Sequence, residues 1–272
     1  MIGESDMSRR ILIAALVVGF ITLGNLHGTS AETLKLTLGT ESSYPPFTIM
    51  AADGSMSGME PELVRAMCKR MNAECEIVSM DFDALLPSLI TGKIDGIVTQ
   101  LNQTPERMEK VEFTRPIILN PEGFIVPKDW DKGYDNAAFK GVRVAVQKGS
   151  VEASYVTEQL PDAVPVYYEG PDSIKLDLMA GRVDAVFGAK LIWSTEFIDS
   201  PDGSNWKIGE PDFWTAGEKV GNSWAVQKGE EELVRKMNAA LDSLIADCTF
   251  TEIRKKYLSI QALPGEEPEK CL

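Results

Sequence analysis

The chain has 272 residues and a formal net charge of −14 at pH 7. That length can bury one large core or two smaller ones, and so acidic a surface excludes nucleic-acid binding through a general phosphate field. The one histidine, His27, falls in an N-terminal targeting signature, so Ser-His-Asp and Cys-His catalysis and histidine-rich zinc sites are excluded from the remainder.

The targeting signature opens the chain. Arg9 and Arg10 precede an apolar run, Ile11 to Leu23, and Thr29-Ser30-Ala31 has the small-x-small form of a signal-peptidase site. The expectation is a signal peptide over 1–31, cleaved before Glu32, and hence an exported protein. The run is shorter than the roughly 20 apolar residues of a membrane span. No cysteine follows it closely, so a lipid anchor is not expected. Glu4 and Asp6 offset Arg9 and Arg10, so cleavage leaves the charge unchanged.

Leu34 to Gly39 alternates apolar and polar and predicts a strand. The prolines of Tyr44-Pro45-Pro46-Phe47 block a helix there. Asp53-Gly54 is a turn, and Pro61 opens a helix carrying Leu63, Val64, Met67 and Met71 on one face. A strand at Ile77–Met80, a helix from Asp83 to Thr91 and a strand at Ile94–Thr99 follow. This β-α-β-α-β order predicts a parallel sheet covered by helices. The order then recurs: a strand at Val142–Val146, a helix after Gly149-Ser150, a strand at Val164–Tyr168, a helix over Asp172–Gly181 and a strand at Val183–Phe187. Ile90-Thr91-Gly92-Lys93-Ile94-Asp95-Gly96-Ile97 even matches Met179-Ala180-Gly181-Arg182-Val183-Asp184-Ala185-Val186. Two similar α/β lobes are the economical reading. Glu230 to Tyr257 reads as two helices parted by Asp247-Cys248-Thr249, and Pro264 to Leu272 as an acidic tail, flexible except where Cys271 is tied down.

Four cysteines, Cys68, Cys75, Cys248 and Cys271, in an exported chain read as disulfides. Pairing Cys68 with Cys75 and Cys248 with Cys271 closes short loops and is preferred. The other two connectivities join distant segments. Thr104-Pro105-Glu106-Arg107 places an arginine just inside a helix N-terminus after a polar strand end. A guanidinium fork and free backbone N–H groups suit a carboxylate, so the chain reads as one that grips a small carboxylate rather than transforms it.

The phrases Gly39-Thr40-Glu41-Ser42-Ser43-Tyr44-Pro45-Pro46-Phe47, Cys68-Lys69-Arg70-Met71-Asn72-Ala73-Glu74-Cys75, Phe82-Asp83-Ala84-Leu85-Leu86-Pro87-Ser88-Leu89 and Thr104-Pro105-Glu106-Arg107 carry a resemblance. The chain resembles the periplasmic solute-binding proteins of polar amino-acid ABC transporters, bacterial extracellular solute-binding family 3. Among these it is most similar to the lysine/arginine/ornithine, histidine and opine binders. The resemblance spans Leu34 to Leu258. It implies a type II periplasmic binding-protein fold, two α/β lobes joined by two crossovers. Lobe 1 would be 32–119 plus 224–258, lobe 2 would be 120–223, and 259–272 would be a tail. The Cys68–Cys75 spacing matches the disulfide of the basic amino-acid binders.

Residue by residue, the resemblance makes Arg107 the clamp of the ligand carboxylate. Tyr44 and Phe82 would sandwich the ligand side chain, with Glu41 meeting its distal cation. Thr99, Gln100 and Asn102 would meet the ligand amine and carboxylate, Gln147 would face the side chain, and Ser150 and Val151 would offer a helix N-terminus. Two positions depart from the pattern. Val151 stands for the usual threonine. Ala189 stands for the usual aspartate that pairs with the α-ammonium. A buried ammonium without an anion is costly, so either another acid compensates or the ligand lacks a free primary ammonium, as opines do. The resemblance implies a basic amino acid or opine as ligand, ABC permease subunits as partners, a periplasmic monomer, and no cofactor, metal or nucleic acid. Two rival readings are an exported dehydratase acting on prephenate or arogenate on the same fold, with Glu41 or Glu152 as acid or base, and a periplasmic sensor partner.

Overall fold

The computed structural model describes residues 33–217 and 220–272. The expected signal peptide, 1–31, lies outside the described residues. The first lobe begins with β1 (Leu34–Glu41) and a short hairpin, β2 (Ile49–Met50) and β3 (Met56–Ser57). Helix α1 (Met59–Met71) follows, then β4 (Ala73–Met80), α2 (Phe82–Ile90), β5 (Gly96–Asn102), α3 (Pro105–Lys110) and β6 (Val111–Ile118). The second lobe runs through β7 (Glu122–Pro127), β8 (Arg143–Gln147), α4 (Val151–Gln159) and β9 (Val164–Tyr168). It continues with α5 (Pro171–Met179), β10 (Ala185–Ala189), α6 (Lys190–Trp193) and β11 (Trp206–Ile208). The chain then returns to the first lobe as β12 (Asn222–Gln227), α7 (Glu231–Ala246) and α8 (Thr249–Tyr257).

Each lobe holds one five-stranded sheet, ordered β4-β1-β5-β12-β6 in the first and β11-β7-β10-β8-β9 in the second. The expected parallel pairs are present, β1 with β4 and β5, and β8 with β9 and β10. The sheets are nevertheless mixed, not wholly parallel. β12 runs antiparallel to β5 and β6, and β7 antiparallel to β10 and β11. In both lobes the antiparallel strand beside the parallel trio adjoins a crossover, so the chain enters it from the opposite end. Asn222 and Ser223, expected in the second lobe, pair in the first sheet.

The repeated phrase has a physical reason. After α2 and α5, Gly92 and Gly181 take φ of +72° and +67°, a left-handed turn that favours glycine. Asp95 and Asp184 then accept the backbone N–H of Thr37 at 2.7 Å and of Arg143 at 2.9 Å. Each aspartate thus locks the central strand that follows it, β5 or β10, to its parallel neighbour, β1 or β8. Buried apolar side chains of Leu36, Leu38, Leu63, Met67, Trp224 and Met237 fill the space between the first sheet and α1, α7 and α8. Phe82, Leu85, Leu89 and Ile97 fill the other face under α2.

Both local disulfides are present, Cys68–Cys75 and Cys248–Cys271, with S–S distances of 2.04 Å and 2.03 Å. The tail is not the flexible extension expected from its composition. Ala262 and Leu263 join the first-lobe core. Glu267, fully enclosed, pairs with the equally buried Arg254 at 2.9 Å and accepts from Thr251 Oγ1 at 2.8 Å. Its other oxygen accepts the Ala262 N–H at 2.9 Å.

Candidate functional site

Parallel strands present their carboxyl ends to one edge of a sheet, where α/β folds place ligands. Here those edges of the two lobes face each other. Glu41 ends β1, Gln100 and Asn102 lie in the last three residues of β5, Gln147 ends β8 and Ala189 ends β10. Tyr44 is held in the loop after β1 by a backbone bridge to Thr48. Phe82 opens α2.

These residues converge on a small cavity lined by Glu41, Tyr44, Phe82, Gln100, Asn102, Gln147, Ser150 and Ala189, together with Glu122, Glu152 and Asn222. Its volume is about 20 Å³, so the lining side chains stand close together. Arg107 and Val151 line an adjoining groove of about 690 Å³ between α2 and α4, which shares Phe82 and Ser150 with the cavity. Thr99 lines neither. It is fully buried, and its Oγ1 donates to Glu60 Oε2 at 3.5 Å, beneath the cavity. The same Glu60 accepts from Trp224 Nε1 at 3.3 Å.

Thr104 caps α3 by accepting the Arg107 N–H at 3.2 Å, and Pro105 fills the first helical position. This fixes Arg107, which is only 9% exposed. Its Nη1 donates to the Asn102 carbonyl at 3.1 Å, and its Nη2 crosses between the lobes to the Gly149 carbonyl at 3.1 Å. The guanidinium carbon lies 5.9 Å from the centre of the Phe82 ring. No carboxylate oxygen stands within 4.0 Å of the guanidinium among the described residues. Burial lowers its pKa, and the charges of Glu152 and Glu106 act against that.

Further polar contacts join the lobes. Gln147 Nε2 donates to Glu41 Oε2 at 2.8 Å, and Asn102 Nδ2 to Glu122 Oε1 at 2.9 Å. Ser43 Oγ donates to Asp172 at 3.0 Å, and Lys148 pairs with Asp83 at 2.8 Å. Gly149 permits the approach. Its φ is +74°, and a Cβ there would stand 2.8 Å from Asp83 Cβ.

Charge is the cavity's main feature. Glu41, Glu122 and Glu152 are all buried, and among the described residues none has a cationic nitrogen within 4.0 Å. Burial pushes Glu41 up to about 8; Gln147's hydrogen bond pulls it back, and the neighbouring Glu152 charge adds to the rise. Burial, then the Glu152 charge, pushes Glu122 up to about 7. Glu152 is itself raised by burial, opposed by Ser150, its own backbone N–H and Arg107. Ser150 caps α4, accepting the Ala153 N–H at 3.1 Å. Two buried amide atoms of lining residues, Gln100 Nε2 and Asn222 Oδ1, have no hydrogen-bond partner among the described residues.

The structure gathers the residues named from shared motifs, Thr99 excepted, around the cavity and groove; sequence reasoning names Glu152 only as an acid or base of the dehydratase reading, and does not name Glu122 or Asn222. Glu152 carries a weak signal, since an acid in the first turn of a helix is ordinary. Glu122 begins a strand that no periodicity announces. Nothing in the local sequence of Asn222 marks it.

The chain matches the family model described as bacterial extracellular solute-binding proteins, family 3, over residues 36–260. It is 33% identical over 264 residues to a histidine-binding periplasmic protein of Salmonella typhimurium, covering 95% of this chain and all of that one. It is 32% identical over 258 residues to an L-arginine-binding protein of Pseudomonas aeruginosa, covering 93% of this chain and 97% of that one. A solved ancestral arginine-binding protein bound to arginine superposes with a TM-score of 0.74 at 29% identity, covering 83% of this chain and 98% of that one. Two lobes with opposed strand ends are the type II periplasmic binding-protein arrangement, and the chain belongs to the bacterial extracellular solute-binding proteins, family 3.

Proposed function

We propose that this chain binds a cationic α-amino acid of the arginine, lysine, ornithine or histidine class between its lobes and delivers it to an ABC importer. The observation that carries this reading is the charge pattern of the cleft. One buried guanidinium lacks a carboxylate partner, and three buried carboxylates lack a cation, among the described residues. A basic amino acid brings one carboxylate for the guanidinium and two cations for two of the three carboxylates. A neutral amino acid leaves one more of those carboxylates unanswered, and an opine adds a second carboxylate where there is one arginine.

In this reading Arg107 and the α4 N-terminus at Ser150 and Val151 take the ligand carboxylate. Tyr44 and Phe82 flank the side chain, and Glu41 takes its distal cation. Gln147 gives up its bond to Glu41 when that cation enters. Gln100 and Asn102 offer backbone and amide groups, and Thr99 supports them through Glu60. Residues 33–118 with the segment after 222 form one rigid lobe and 122–208 the other. They open to admit the ligand and close on it. The protein acts as a monomer in the periplasm after loss of residues 1–31, and the closed form docks on permease subunits.

Binding without turnover is part of the proposal. Incubation with prephenate or arogenate should return them unchanged. The deciding experiment is a thermal-shift and calorimetric screen of basic, neutral and acidic amino acids with octopine and nopaline. A ligand specific for the folded state stabilises it by roughly 3–4 kcal/mol at a hundred to a thousand times its dissociation constant. Basic amino acids should give the large shifts. Stabilisation by glutamine or glutamate in preference to arginine would overturn the reading.

A further inference from the structure

Ala189 lacks the carboxylate that the family resemblance places there for a ligand α-ammonium. The sheet of the second lobe shows where a replacement stands. Ala189 on β10 is the antiparallel register partner of Glu122 on β7. Partners in such a ladder project to the same face, with Cβ atoms about 4.5–5.5 Å apart. A glutamate reaches one methylene further than an aspartate. Glu122 can therefore bring a carboxylate to the space that a side chain at 189 would occupy, and both residues line the same cavity.

Two further observations point to a cation at this spot. Glu122 is 2% exposed and has no cationic nitrogen within 4.0 Å among the described residues. Its oxygens accept from Asn102 Nδ2 at 2.9 Å and from the Thr215 N–H at 3.0 Å, two neutral donors that aim it without neutralising it. Beside it, the buried Oδ1 of Asn222, in a residue 4% exposed, has no donor among the described residues. A carboxylate and an amide oxygen with free acceptor capacity suit a primary ammonium, which brings three donors.

We infer that Glu122, with Asn222 Oδ1, is the α-ammonium site of this protein, the anchoring carboxylate having moved across the β7–β10 ladder from position 189. The ligand therefore carries a free primary α-ammonium, and opines, whose amine bears an acid substituent, are excluded. This rests on the proposed binding of a basic amino acid and adds which residue reads its amine.

The test compares L-arginine with 5-guanidinopentanoate, which is arginine without its α-amino group, by calorimetry on the full exported protein. The unmodified protein should bind arginine at least about 30-fold tighter, the range for a buried charged pair. Glu122→Gln should bring arginine to within about threefold of 5-guanidinopentanoate while hardly changing the latter, because only the amine contact is removed. The double variant Glu122→Gln with Ala189→Asp should recover at least about tenfold for arginine, returning the carboxylate to the neighbouring strand. An equal loss for both ligands in Glu122→Gln would make Glu122 a support of the crossover and overturn the inference. So would an arginine-selective loss in Glu152→Gln with none in Glu122→Gln. If the unmodified protein binds neither compound, the proposed function itself fails; if it binds arginine and Glu122→Gln retains the full preference, only the present inference does.

Discussion

Arg107→Ala is the most direct probe of the cleft, because the structure separates the two things this side chain does. Its bond to the Asn102 carbonyl stays within the first lobe and does not depend on a group of the second. Its bond to the Gly149 carbonyl at 3.1 Å crosses the lobes and contributes to closure. Such a bond from a charged donor is worth on the order of 1.5 kcal/mol net. The ligand carboxylate adds the larger share, since a buried charged partner left unpaired costs about 2–5 kcal/mol. The summed loss for L-arginine is about 3 kcal/mol or more, at least about 150-fold in dissociation constant. Agmatine, arginine without its carboxylate, should lose only the closure share, about tenfold. Calorimetry of both ligands against both proteins closes a double-mutant cycle whose coupling term, about 2 kcal/mol, belongs to the Arg107–carboxylate pair. Equal losses for the two ligands would refute the assignment. The ligand-free midpoint should barely move, because the guanidinium pairs with no carboxylate among the described residues and its removal relieves desolvation.

The cleft acids, Gly149 and the buried tail pair give four more predictions. Glu41 and Glu122, held near 8 and 7 by burial against an ordinary 4.5, keep protons that the unfolded chain has lost. Their contribution to stability is therefore whole below pH 4.5 and lost as pH rises to about 8; the ligand-free midpoint should fall between pH 5 and 8, by an amount on the order of a few kcal/mol in stability. A cationic ligand favours the ionised carboxylates, so its affinity should rise over the same window with release of protons, read from binding heats in buffers of different ionisation enthalpy; proton uptake would contradict this. Gly149→Ala places a methyl 2.8 Å from Asp83 Cβ on a left-handed backbone and should block lobe approach, seen as a missing ligand-induced contraction in small-angle scattering, with about 1–2 kcal/mol lost in stability. Glu267→Ala leaves the buried Arg254 uncompensated and should destabilise by about 3–5 kcal/mol in urea titration, whereas a loose tail would show almost none.

Where motif and backbone physics coincide, the sequence was legible. The Gly-x-x-Asp of the repeated phrase exposes both the helix stop and the aspartate that locks the next strand, and its two copies announced two lobes of one design. Arg107 was legible because proline and threonine before it fix a cap. The mixed sheets were not, because β6, β7 and β12 owe their pairing to crossovers that bring distant segments together, and no local alternation records that. The tail misled for a related reason. Its glutamates and prolines read as solvated, yet Glu267 is buried by an arginine that lies on α8. Glu122 shares this cause: it lines the cavity only because the other lobe's Asn102 and Asn222 stand across from it.

Glu122 also joins the site to the hinge. Its backbone pairs with Phe213, and its side chain accepts the Thr215 N–H, so the first crossover holds the second at this residue. Asn120, in the first crossover, donates to Gln100 at 2.9 Å and accepts the Leu191 N–H at 3.1 Å, tying the strand end of one lobe to the start of α6 in the other. A carboxylate accepts hydrogen bonds more strongly when ionised. A cation that ionises Glu122 therefore tightens the bonds to Thr215 and Asn102 in the same step. On the proposed reading, the charge that selects the ligand and the bonds that hold the crossovers together act through one side chain, and a neutral ligand of the same shape is expected to fill the cleft without drawing the lobes as firmly together.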